Sequence, residues 1–136
     1  TSSDQQLAAI AEKALKEVTY HLRWSSEWVI RLGDGTQESK QRMIHAINEL
    51  WSYTGEMFIV VDYELRAASE GYGIDLTGIK NNWDEKIKNV FEEATLAVPV
   101  DAWMHKGGKE GKHTEHLGYI LGEMQFLQRA YPGAEW

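Results

Sequence analysis

The chain has no cysteine at all. That excludes disulfides and thiolate metal sites, and it fits a reducing compartment. Proline is nearly absent, with only Pro99 and Pro132, so almost nothing interrupts helical patterning. No apolar run approaches the roughly 20 residues of a membrane span, and no signal-peptide pattern is visible. Basic residues are the minority: 14 Lys and Arg stand against 21 Asp and Glu, for a net charge of −7. A chain of that balance lacks the basic face that general nucleic-acid binding requires. These absences predict a cytoplasmic protein with neither nucleic acid nor membrane as partner.

What is present is ordinary in bulk and unusual in detail. A hydrophobic content of 43% and a charged content of 26% over 136 residues describe a single globular domain. Six tryptophans and six tyrosines are many for this length. Such an excess marks a rich core or a surface that meets a partner.

Strand-like alternation is almost missing and helical spacing dominates. Ser3 with Gln6, or Asp4 alone, can cap a first helix running to about Leu32. Its stripe is Leu7, Ala11, Ala14, Val18, Leu22 and Val29, broken by Ser25, with Trp24 and Trp28 on one flank. Gly33-Asp-Gly35 is read as its stop. A second helix is predicted from about Ser39 to Ser69, with a 3–4 seam from Ile44 through Ile47, Trp51, Thr54, Phe58, Val61 and Leu65 to Ala68. It would be about 45 Å long and carry the core. Gly71-Tyr-Gly73 follows. A third helix is predicted from Thr77 to Ala97, buried along Ile79, Trp83, Ile87, Val90 and Ala94 and broken by Pro99. A fourth runs from Thr114 to Tyr131, with Leu117, Ile120, Leu121, Met124, Leu127 and Tyr131 inward. The fold class is all-α, an antiparallel bundle of about four helices.

Bundles of this kind can hold a carboxylate-bridged di-iron centre, built in part from two Glu-x-x-His pairs. Glu17 and His21 come close, but they lie four apart, and Tyr20 stands where the motif places histidine. A half-buried hydrogen bond or ion pair is the better reading of the two. The literal Glu-x-x-His, Glu110 to His113, straddles Gly111 in a loop. His113 and His116, with Glu115 between them, supply only two or three ligands. All of these remain weak metal candidates.

The loop itself, Gly107-Gly-Lys-Glu-Gly-Lys-His-Thr-Glu-His-Leu-Gly118, is the densest cluster of functional side chains in the sequence. Lys106, Lys109 and Lys112 beside glycines at a helix start favour an anion, either a phosphate or a partner's acidic surface. The competing reading is a solvated surface loop. No Walker motif is present. The other tryptophans read as core, while Trp136 at the chain end suggests docking. Glu56 and Asp62 read as solvated or hydrogen-bonded, and no nucleophilic triad can be assembled.

Taken together, several segments carry a resemblance: Ala8-Ala-Ile-Ala-Glu-Lys-Ala-Leu-Lys-Glu-Val-Thr-Tyr-His-Leu-Arg23, Arg31-Leu-Gly-Asp-Gly-Thr36, Ala46-Ile-Asn-Glu-Leu-Trp51, the lysine loop, Glu123-Met-Gln-Phe-Leu-Gln-Arg129 and Pro132-Gly133. The chain resembles the C-subunit family of phenylacetyl-CoA epoxidase, over about the C-terminal half of such proteins. The resemblance implies a ferritin-like bundle within a multicomponent monooxygenase of aerobic phenylacetate breakdown. It further implies that a catalytic sister subunit holds the di-iron site and the substrate, while this chain is a scaffold without cofactor. The alternative is a di-iron carboxylate oxidoreductase with metal in this chain. As part of a larger ferritin-like protein, residues 1–136 are expected to leave an apolar seam uncovered and to associate, with the catalytic sister or with copies of themselves.

Overall fold

The structure is a computed structural model and describes residues 2–135. It divides into two compact units, Thr1–His105 and Lys106–Trp136. Every regular element among the described residues is helical.

In the first unit, α1 spans Gln5–Gly33. Asp4 caps it, its carboxylate accepting from the amides of Gln6 at 2.8 Å and Leu7 at 3.0 Å. Gly33 does not stop this helix; it is the last helical residue and is buried. A Cβ there would stand 2.5 Å from the Ala94 carbonyl oxygen, so the glycine is a contact point between helices. Helix α2, Gln37–Leu50, starts at Thr36, whose hydroxyl accepts from the Ser39 amide at 3.2 Å.

The long second helix expected over 39–69 is broken. After α2 come two 3₁₀ turns, Trp51–Tyr53 and Gly55–Phe58, and then α3, Asp62–Ser69. Two local causes act together. The Thr54 hydroxyl donates to the Trp51 carbonyl at 2.8 Å, tightening the turn. Beyond it, Ile59 and Val61 adopt extended backbone within an Ile-Val-Val run, where β-branched side chains favour that conformation. The half-buried rows Ile44–Ile47–Trp51 and Thr54–Phe58–Val61 survive the break, whereas Leu65 and Ala68 are exposed.

Helix α4, Leu76–Glu93, is capped by Asp75, which accepts from the Thr77 amide at 2.9 Å. It ends four residues before the predicted Ala97. Leu96 donates to Phe91 O at 2.8 Å and Thr95 to Glu92 O at 3.2 Å, while Thr95 sits in the left-handed region at φ 55°. That is a Schellman terminus, with threonine where glycine is usual. The Thr95 hydroxyl explains the exception: it accepts from Lys40 Nζ at 2.7 Å and donates to Gly33 O at 3.4 Å, tying the ends of α1 and α4 to the start of α2.

The buried apolar core lies at the end of α4, at Val90 and Phe91 and at Ala94 just beyond it, and not on the second helix as expected. The predicted α4 stripe holds, with Ile79, Trp83 and Ile87 half-buried. Ser3 donates to Gly71 O just before α4 begins, and Gly33 meets Ala94 where it ends, so α1 and α4 run the same way. The α2 contacts, Lys40 to Thr95 and Trp51 to Trp83, run in the opposite order, so α2 is antiparallel to both.

In the second unit, α5 covers His116–Met124 and α6 covers Phe126–Ala130. The predicted fourth helix therefore starts two residues late and is interrupted at Gln125. Gly118 and Gly122 weaken it, each costing a helix about 1 kcal/mol relative to alanine. Of the face expected inward, Leu117 is half-buried, while Ile120, Leu121, Met124, Leu127 and Tyr131 are exposed.

Candidate functional site

The lysine loop is a compact turn built by two glycines. Gly107 (φ 96°) and Gly111 (φ 89°) hold left-handed backbone on either side of a 3₁₀ turn, Gly108–Glu110. The Gly107 carbonyl accepts from the amides of Glu110 at 2.9 Å and Lys112 at 2.8 Å, and Gly108 O accepts from Gly111 at 3.2 Å. The amides of residues 110–112 are thus spent on the turn itself. What the turn offers is charge: Lys106 and Lys112 are exposed and Lys109 is half-buried. The Lys112 stem lies across Gly107, where an added Cβ would come within 2.7 Å of its Cδ.

The nearby histidines are not organised by a helix as expected. His113 precedes α5, Glu115 is its N-terminal flanking residue, and His116 is its first residue; all are exposed. Glu110 lies in the 3₁₀ turn, with Gly111 between it and His113.

Glu17 and His21 do meet on α1, with Oε1 and Nε2 3.9 Å apart. Their side chains are 74% and 64% accessible, so this is a solvent-facing contact and not the half-buried one expected. Contacts of this type contribute little to stability. Tyr20, three residues after Glu17, sets its ring against the imidazole with centroids 6.0 Å apart. No group of three His, Asp or Glu side chains able to hold a metal forms among the described residues. The donor set here does not match a di-iron centre, which needs carboxylates and histidines from several helices.

Four of the tryptophans form two pairs of different character. Trp51 and Trp83 are half-buried, 5.7 Å apart, and Phe58 and Phe91 close around them at 5.2 and 6.0 Å. Trp24 and Trp28 form an edge-on pair at 6.1 Å on the exposed side of α1. Trp136 lies outside the described residues. Asp62 opens α3 in solvent, and Glu56 belongs to the second 3₁₀ turn.

One cluster had no periodic signal in the sequence. His105 stacks on Tyr53 with ring centroids 4.1 Å apart and receives Trp103 edge-on at 4.5 Å, while its amide donates to Ser52 O at 2.9 Å. It pins the segment after α4 against the first 3₁₀ turn. Trp103 is 71% exposed.

The family model described as "Phenylacetic acid catabolic protein" matches residues 1–136. The chain is 47% identical over 135 residues to the C subunit of the 1,2-phenylacetyl-CoA epoxidase of Escherichia coli (strain K12). That alignment covers 99% of this chain and 54% of the relative, so the chain spans about half the length of the curated protein it matches.

Proposed function

The chain belongs to the phenylacetic acid catabolic protein family, and from that premise we propose that it is a structural, non-catalytic part of a multicomponent monooxygenase. The reaction served is epoxidation of the aromatic ring of phenylacetyl-CoA in aerobic phenylacetate breakdown, in the cytoplasm. The observation that carries this reading is 47% identity, across nearly the whole chain, to a protein named as the C subunit of that epoxidase. The di-iron site and the substrate would belong to the partner, the catalytic sister subunit. The chain's own chemistry supports that division, because Glu17 and His21 face solvent on one helix and Tyr20 occupies the remaining ligand spacing.

Lys106, Lys109 and Lys112 are proposed as an electrostatic contact to acidic residues of the catalytic partner or to CoA phosphates. The contact acts through ammonium groups, since the amides of residues 110–112 are taken up within the turn.

The deciding experiment is co-purification with the catalytic partner, with iron measured on each chain and turnover on the complex. Complex formation with iron only on the partner is the expected result. Stoichiometric iron on this chain, lost in Glu17→Ala or His21→Ala, would replace the reading with the di-iron oxidoreductase alternative. Converting all three loop lysines to glutamate should weaken assembly or turnover at low salt and leave helicity unchanged. The difference should fade near 1 M salt, where charges are screened beyond about 3 Å. Wild-type assembly and turnover at low salt would show that the loop is only solvated.

A further inference from the structure

After α4 the chain crosses its own unit as a strap, residues 97–105. It leaves Thr95, the left-handed terminus of α4, and ends on the first 3₁₀ turn. Its attachments are concentrated at that far end. The His105 amide donates to Ser52 O at 2.9 Å, and the His105 ring lies 4.1 Å from that of Tyr53 with the planes 10° apart. Met104 seats on Gly55, where an added Cβ would come within 2.9 Å of its Cγ and 3.0 Å of its Sδ. Among the described residues, no hydrogen bond holds residues 97–104. Asp101 holds left-handed backbone at φ 53°, a cost that no bond of its own carboxylate offsets. Along the way Val98 lines two clefts at once. One, of about 370 Å³, includes Ile44 and Ile47, and the other, of about 430 Å³, includes Trp51, Trp83 and Ile87.

We propose that residues 97–105 are a hinged strap, latched by Met104 and His105, which opens while the helices stay folded. Segments with few backbone hydrogen bonds and few buried contacts are those that open below the cost of global unfolding. The strap has both features, and its Val100 is 84% exposed. Thr95 is the hinge, because its ties to Lys40 and Gly33 stay with the helices. Opening relaxes Asp101, lifts Val98 away and joins the two clefts into one. It also frees the whole of 97–105 ahead of Lys106, up to about 30 Å of extended chain. The use of that reach rests on the reading of the lysines as a contact, whereas the opening itself does not.

The His105 amide reports the latch in native-state hydrogen exchange of the full chain. It is expected to exchange at least tenfold faster than the amide of Phe91 in the buried core. Tyr53→Ala removes the stacked ring and should speed His105 exchange about tenfold further, leaving Phe91 unchanged. Where that variant also loosens the core, a staple decides. A Cβ at position 55 would stand 3.4 Å from Met104 Cβ, near the separation that a disulfide spans. The chain has no cysteine of its own, so Gly55→Cys with Met104→Cys gives a single bridge. Oxidation should slow His105 exchange to the Phe91 rate, and dithiothreitol should reverse the effect. Both measurements use the chain without any partner, so their failure leaves the lysine contact standing. A wild-type His105 amide as slow as that of Phe91 would overturn the proposal. So would a His105 amide indifferent to Tyr53→Ala, or one that exchanges equally fast with the staple oxidised and reduced.

Discussion

At Gly33 the missing side chain decides how closely α1 approaches α4. A Cβ there would come within 2.5 Å of Ala94 O and 2.9 Å of both Ala94 Cβ and Leu96 Cδ1, and backbone cannot yield cheaply. Gly33→Ala is therefore expected to destabilise the first unit by about 1–3 kcal/mol, read as a lower urea midpoint, although alanine is the better helix former. An unchanged or raised midpoint would mean the helices separate without penalty. Thr95 sets two effects against each other. Its left-handed backbone costs roughly 1–2 kcal/mol, and its hydroxyl bonds to Lys40 and Gly33 return about as much. Thr95→Ala keeps the strain and loses both bonds, whereas Thr95→Gly loses the bonds and the strain together. Thr95→Gly should accordingly be the more stable variant by about 1 kcal/mol, in chemical denaturation of the pair side by side.

Among the elements, α5 is the one the sequence serves least well. It carries Gly118 and Gly122 within nine residues, and a Cβ at either position would meet nothing within 4 Å. Gly118→Ala with Gly122→Ala is expected to raise helicity at 222 nm and to stabilise α5 by up to about 2 kcal/mol. If assembly with a partner falls while helicity rises, the glycines hold space for that partner's surface. Other elements show where sequence reading succeeds and fails. The start of α1 was legible because Asp4 is a short acceptor placed just ahead of a periodic segment. The break after α2 was not, because a 3–4 apolar rhythm continues through Thr54, Phe58 and Val61 although the backbone has left the helix. Side chains from successive short turns can keep to one side without sharing one helix. The site was legible as composition, in the three lysines and their glycines. Its amide geometry was not, because that depends on which carbonyl each N–H finds. The His105–Tyr53–Trp103 stack was invisible, since it joins a loop to a turn that the sequence presents as helix.

For the whole molecule, the balance between buried and exposed surface governs how the isolated chain will behave. An unfolded chain of 15.6 kDa exposes about 22,600 Å², so a folded surface of 11090 Å² means that only about half is removed from water. A self-contained domain of this size removes about two-thirds. The denaturant slope m scales with the area exposed on unfolding. In dilute solution the chain should therefore unfold with a slope about three-quarters of that usual for its length. Its midpoint should be low, because hydrophobic burial at about 25 cal/mol per Å² is the main favourable contribution. Association changes both quantities, since whatever binds the folded chain and not the unfolded one adds stability by mass action. Urea titrations at about 1 μM and about 100 μM should show the midpoint and the apparent slope rising together for wild type. A steep, concentration-independent transition would mean that the exposed faces of α1 and α5 carry no such cost and need no partner to cover them.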